Sequence, residues 1–181
     1  MESLLTAFLG GALAEWGDRT QLLVVLLAAR SKRPPAVLLA LLVAAIVSNV
    51  VGAYAGHWIA QILDRRATTL LLALALVFSG VAGLIGRNPP DPGARGGFFI
   101  ALILLLAAEL GDRTQFLAFG IAARFDAPVL ATAGATAGIM AAALPAALLG
   151  AQFETLPNRA LRLGAAGLFL VVGFVVGVTA L

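Results

Sequence analysis

The sequence predicts an all-α integral membrane protein with six transmembrane helices, arranged as two inverted three-helix repeats. Composition is the first reason. Of the 181 residues, 61% are hydrophobic and 12% charged, and the mean hydropathy is +1.03, whereas soluble domains run at about 45–50% apolar and about 25% charged. The second is length: six apolar runs of about 18–28 residues, each able to span a bilayer, alternate with short polar turns. The third is duplication. Glu15-Trp16-Gly17-Asp18-Arg19-Thr20-Gln21 returns 94 residues later as Glu109-Leu110-Gly111-Asp112-Arg113-Thr114-Gln115, with one position changed.

The first span, residues 3–29, carries the first motif near its midpoint. It stops at Arg30-Ser31-Lys32-Arg33-Pro34-Pro35, where three cations and two prolines make a headgroup-level turn. The second span, 36–63, carries Ser48, Asn49, Tyr54, His57 and Gln61, and Asp64-Arg65-Arg66 closes it. The third is 68–85, with Gly80 and Gly83 as close-packing points. A Pro-rich stretch at 87–96 is the one clear linker. The fourth span, 97–123, carries the second motif and ends in the turn Arg124-Phe125-Asp126-Ala127-Pro128. The fifth, 129–152, is rich in Ala and Gly, and Pro145 should kink it. The sixth is 161–181.

The register of the duplication holds beyond the motif: Arg30 matches Arg124, Pro34 matches Pro128, Gly56 matches Gly150, Arg65 matches Arg159 and Gly83 matches Gly177. A three-helix unit at 1–86 is therefore repeated at 97–181, across a cytoplasmic linker at 87–96. Three crossings are an odd number, so the second unit enters from the opposite face. A pseudo-two-fold axis in the membrane plane can then bring both motifs together at the midplane. The loops after spans one, three and five hold seven Lys/Arg against three in the loops after spans two and four. Positive-inside bias puts the linker in the cytoplasm and both termini outside.

Several function classes drop out. No cysteine is present, so disulfides and thiolate chemistry are excluded. The net charge of +3 and the pI near 10.6 come mostly from loop residues that meet lipid headgroups, not nucleic acid. The acidic N-terminus leads straight into the charged motif, which does not resemble a cleavable signal peptide.

A charge at the bilayer centre costs at least about 2.5–3.5 kcal/mol. The two motifs place four negative and two positive charges there, and such residues are by default an ion or proton site. Glu15 and Asp18 share a helix face, as do Glu109 and Asp112. Four converging carboxylates are hard oxygen ligands suited to Mg²⁺, Ca²⁺ or Mn²⁺. The absence of Cys and of a motif His argues against Zn²⁺, Cu⁺ and Ni²⁺. Gln21 and Gln115 can add carbonyl oxygens. Thr20 and Thr114 point away from the acids in an ideal helix, and join them only if the helix unwinds near Gly17 and Gly111, as broken helices in transporters do. Arg19 and Arg113, charge partners or gates, leave the cluster at a formal −2, which one divalent cation neutralises. When the metal leaves, repulsion among the carboxylates favours protonation, the chemistry of a cation–proton antiporter.

The bland alternative is a structural salt-bridge cluster built on the i,i+4 pairs Glu15–Arg19 and Glu109–Arg113. It leaves Asp18 and Asp112 without cations of their own, and buried ion pairs are poor stabilisers. His57, alone near a helix end, reads as an interfacial or packing group rather than a proton relay. Ser48 and Asn49 either line the pathway or hydrogen-bond between helices; only Ala142 and Ala143 stand at the equivalent positions of the other repeat. Trp16 is replaced by Leu110, so no shared role is assigned to it. A passive divalent-cation channel would use the same ligands without moving protons. An intramembrane hydrolase with paired aspartates lacks an adjacent nucleophile. A non-transporting scaffold predicts that Asp18→Asn and Asp112→Asn leave metal tolerance untouched.

Two copies of Glu-x-Gly-Asp-(Lys/Arg)-(Thr/Ser), one per three-helix repeat, resemble the signature of the transmembrane-protein-165 family, formerly uncharacterised protein family 0016. The resemblance covers essentially the whole chain. It implies a transporter, not an enzyme, that exchanges Mn²⁺ or Ca²⁺ for protons, with bacterial members exporting Mn²⁺. It also implies that Glu15, Asp18, Glu109 and Asp112 form the metal site, with Thr20, Gln21, Thr114 and Gln115 assisting. No cofactor is expected to be bound permanently: Mn²⁺ or Ca²⁺ is the transported substrate and H⁺ the counter-ion. The expected partners are the lipid bilayer and divalent cations, with a homodimer allowed and no nucleic acid. The chain's size suggests a multi-pass protein of a bacterial inner membrane.

Overall fold

A computed structural model describes residues 1–85 and 97–181, and the regular secondary structure among them is all helical. The helices are α1 (Glu2–Glu15), α2 (Arg19–Ser31), α3 (Pro34–Ala60), α4 (Arg65–Leu84), α5 (Phe98–Glu109), α6 (Arg113–Phe125), α7 (Pro128–Leu149) and α8 (Asn158–Thr179), with a 3-10 turn at Gly150–Thr155. The linker predicted at 87–96 lies outside the described residues. Among the described residues, α3, α4, α7 and α8 are long and apolar enough to cross a membrane, and α5 is apolar but shorter.

The runs 3–29 and 97–123 are not single helices, which corrects the simplest expectation from hydropathy. Each is broken inside its motif, after Glu15 and after Glu109. At the breaks Gly17 (φ 71°) and Gly111 (φ 76°) adopt the left-handed conformation, which glycine enters without the Cβ penalty. Asp18 and Asp112 are extended and stand at the N-caps of α2 and α6. A second correction concerns Pro34 and Pro35. They begin α3 instead of lying in the turn before it, because a first-turn residue has no use for the N–H that proline lacks. The reversal is made by Lys32 (φ 53°), and Asp126 (φ 51°) does the same ahead of Pro128 and α7. Pro145 sits inside α7 without ending it.

Many of the buried side chains are small, and many large apolar ones face outward. Ala14, Ala40, Ala44, Ala53, Ala118 and Ala146 are buried, while Leu39, Phe99, Leu148 and Phe174 are exposed. This is the pattern of helices that associate in lipid through close backbone approach. An added Cβ would lie 2.8 Å from Ala135 O at Gly11, where α1 meets α7, and 2.6 Å from Gln115 O at Gly52, where α3 meets α6. Gly80 and Gly83 are close-packing points as expected: their Cβ atoms would meet Leu170 Cγ at 2.6 Å and Ala166 Cβ at 2.9 Å on α8. Each broken helix thus packs on a helix of the other half, α1 and α2 on α7, α5 and α6 on α3, while α4 packs on α8.

The connections collect at two ends. At one, Ser3 Oγ donates to Ala127 O (3.5 Å), His57 Nδ1 lies 2.6 Å from Asp126 Oδ1, and Arg66 donates to Leu181 O. At the other, Arg30, Ser31 and Arg33 share a cavity of about 370 Å³ with Gly97 and Phe98, and Val25 packs with Ala146 and Phe153.

Candidate functional site

The two motifs meet inside the bundle and exchange arginines. Arg19 Nη2 lies 3.4 Å from Asp112 Oδ1 and donates to Ala108 O at 2.8 Å. Arg113 Nη2 lies 3.0 Å from Asp18 Oδ1, a charge contact whose angle is not that of a hydrogen bond. Asp18 and Asp112 therefore do have cations, each supplied by the opposite motif. Among the described residues no ion pair joins Glu15 to Arg19 or Glu109 to Arg113. The i,i+4 pairing assumed a continuous helix, and the break turns each arginine away from its own glutamate.

Glu15 and Glu109 are 2% and 1% exposed, and Asp112 is 6% exposed. Asp18 remains partly open. The four carboxylates sense one another: Asp112 and Asp18 act electrostatically on Glu15, and Glu15, Asp112 and Asp18 act on Glu109. Thr114 Oγ1 donates to Glu15 Oε1 at 2.7 Å, so a threonine does join the acids once the helix unwinds, and it does so from the other motif. The equivalent Thr20 Oγ1 and Glu109 Oε1 have no partner among the described residues, and neither do Asp18 Oδ2 and Asp112 Oδ2. As the side chains lie, no three acidic or imidazole groups among the described residues are gathered closely enough to hold a metal ion. Two aspartate–arginine pairs cross between the motifs.

The glutamines hydrogen-bond across the breaks. Gly17 N–H donates to Gln21 Oε1 and Gly111 N–H to Gln115 Oε1, both at 2.7 Å. Their Nε2 atoms cross to the other half, Gln21 to Ala142 O (2.6 Å) and Gln115 to Ser48 O (3.0 Å). The carbonyl oxygens expected as assisting ligands thus hold the left-handed glycines in place. Ser48 Oγ donates to Glu109 O at 2.8 Å, and Asn49 Nδ2 to Thr136 Oγ1 at 3.2 Å, so both polar residues of the second span bridge helices. His57 sits at the bundle end, against Asp126, which also accepts from Gln61 Nε2 at 3.4 Å. Sequence reading passed over Asp126 as a turn residue.

The two breaks differ in cover. A Cβ on Gly17 would lie 2.5 Å from Asn158 O at the start of α8, whereas one on Gly111 would meet open space. Leu110 beside it is 45% exposed.

The family model described as "Divalent cation/proton antiporter GDT1" matches residues 3–90 and 97–181, both motifs included. A protein of Vibrio cholerae serotype O1 named "Putative manganese exporter" is 33% identical over 168 residues, covering 89% of this chain and 83% of that one. No solved structure matches significantly. The chain belongs to the divalent cation/proton antiporter GDT1 family, a family of transporters and not of enzymes.

Proposed function

We propose that this chain exports Mn²⁺ from the cytoplasm in exchange for protons, through a site shared by Glu15, Asp18, Glu109 and Asp112. The observation that carries this proposal is the reciprocal crossing of the motifs. It leaves one oxygen of each aspartate, one of Glu109 and the Thr20 hydroxyl buried without partners. Leaving such groups unsatisfied costs about 1–3 kcal/mol each, and carboxylate and hydroxyl oxygens are the donor set a hard divalent cation takes. Binding draws the carboxylates together and competes with the two guanidiniums, and Thr20 and Thr114 add neutral oxygens. Release returns the acids to the arginines and to protons. Ca²⁺ fits the same ligands, and the name of the Vibrio relative favours Mn²⁺.

Six crossings in two inverted repeats, 1–86 and 97–181, are the architecture proposed for this site, with α1–α2 and α5–α6 each counted as one broken crossing. Supporting it, both termini and the turns near residues 61–67 and 124–128 share one end of the bundle. The loop charges favour that end outside and the linker in the cytoplasm, and a bacterial inner membrane is the location proposed.

The test is a proteoliposome assay with a Mn²⁺ indicator and an internal pH dye. Mn²⁺ movement coupled to opposing proton movement is expected, with both lost in Asp18→Asn and in Asp112→Asn. Mn²⁺ flux without proton flux would identify a passive channel instead.

A further inference from the structure

The two breaks share a glycine–glutamine pair but not the same support. In the second motif the hydrogen bonds close a ring. Gly111 N–H donates to Gln115 Oε1, Gln115 Nε2 donates to Ser48 O, and Ser48 Oγ donates to Glu109 O, two residues before the glycine. In the first motif Gly17 N–H donates to Gln21 Oε1 and Gln21 Nε2 to Ala142 O. There the path ends, because Ala142, the repeat equivalent of Ser48, has no hydroxyl to return to Glu15 O.

What else supports each break follows the same division. Both breaks are spanned by a backbone bond, Asp112 N–H to Glu109 O at 3.2 Å and Asp18 N–H to Glu15 O at 3.1 Å. Beyond that bond Gly111, with open space where a Cβ would be, has the ring, whereas Gly17 is covered by the backbone of Asn158. A covering contact can slide, whereas a closed ring of three hydrogen bonds fixes direction as well as distance. The glutamine of the ring has little freedom, since a Cβ on Gly52 would lie 2.8 Å from Gln115 Cγ. Glu15, whose backbone lacks the serine bond, is held through its carboxylate by Thr114. Glu109 is held through its backbone, with Oε1 unpartnered.

We infer that Ser48 is a positioning residue for transport: it closes the ring around the second break and presents Glu109 as the preformed half of the cation site. The inference rests on the shared-carboxylate site proposed above. Ser48 itself touches no ion; it acts through the backbone of Glu109.

The experiment measures Mn²⁺ uptake into proteoliposomes by Ser48→Ala, Ser48→Thr, Gln115→Ala, Gln21→Ala and the doubles of Ser48→Ala with each glutamine variant. Loss of one buried hydrogen bond should raise the KM for Mn²⁺ about three- to tenfold in Ser48→Ala, with the maximal rate changed less than about twofold, as expected when ground-state binding alone is lost. Ser48→Thr, which keeps the hydroxyl, should restore the KM. Ser48→Ala should add little to Gln115→Ala, which has already opened the ring, and should multiply the effect of Gln21→Ala. A wild-type KM in Ser48→Ala, or equal multiplication with both glutamine variants, overturns the inference. Glu109→Gln separates the two levels. If it transports normally, the shared site itself fails; if it is inactive while Ser48→Ala is normal, only the ring does.

Discussion

Arg113 of the second motif lies 3.0 Å from Asp18 of the first, and Arg19 of the first returns the contact to Asp112 at 3.4 Å. Neither motif is electrically complete by itself. The helix break makes the exchange possible, since a continuous helix would stack each arginine over the glutamate four residues before it.

Removing one partner of such a pair leaves the other charge uncompensated. Arg113→Gln should lower the melting temperature in detergent, and Arg113→Gln with Asp18→Asn should recover part of the loss, because a buried pair is more costly to halve than to delete. The effect should fall short of the about 3–5 kcal/mol of a fully buried pair, since the Asp18 side chain is 14% exposed. Equal destabilisation by the single and the double variant would argue against the cross-motif pair.

Backbone conformation gives the next expectation. Alanine at Gly17 or Gly111 would enter the left-handed region, at a cost of about 1–2 kcal/mol. Gly17→Ala should cost more than Gly111→Ala, because its methyl would also meet Asn158 O at 2.5 Å while the other methyl meets open space. Thermal denaturation of the two variants side by side gives the order, and the reverse order would contradict the two breaks as described.

Much of this arrangement was legible in the sequence. Charges within apolar runs stand out because lipid makes them costly, and the 94-residue register by itself ties the two acidic stretches together. The path of the backbone was legible only as a condition, that Thr20 and Thr114 join the acids if the helix unwinds near Gly17 and Gly111. A glycine inside a helix and a glycine in a left-handed turn look alike, although the glutamine four residues on, whose Oε1 accepts from Gly17 N–H and Gly111 N–H, was a usable signal. Once the break is missed, spacing assigns each arginine to the wrong acid. Pro34 and Pro35 fit a stop or a start equally from sequence, because proline suits the first turn of a helix as well as a turn, and they are a start. Asp126 had no local signal: its partner His57 is 69 positions away.

The threonines should behave differently despite their equivalent positions. Thr114→Val removes the 2.7 Å bond to Glu15 and leaves a buried acceptor without a donor, a loss of about 1–3 kcal/mol. Thr20 has no partner to lose, so Thr20→Val should not destabilise and should relieve the cost of a buried unpaired hydroxyl, about 1–3 kcal/mol. Melting temperatures measured without added metal distinguish the two, and equal shifts would mean that the two motifs are equivalent in the protein at rest.

Ligand linkage offers an independent check. Mn²⁺ at about 100 times its Kd should stabilise the folded protein by about 2.7 kcal/mol, seen as a rise in melting temperature. Asp112→Asn should abolish that rise, while a substitution at His57, which lies at the bundle end, should preserve it. A rise that survives Asp112→Asn would place the ion elsewhere.

Titration of the purified protein with Mn²⁺, followed by electron paramagnetic resonance or calorimetry, bears most directly on whether the two motifs form one site. A single saturable Mn²⁺ per chain is expected, abolished by Asp18→Asn alone and equally by Asp112→Asn alone. Two ions per chain, with each substitution removing one and sparing the other, would contradict a site shared between the motifs.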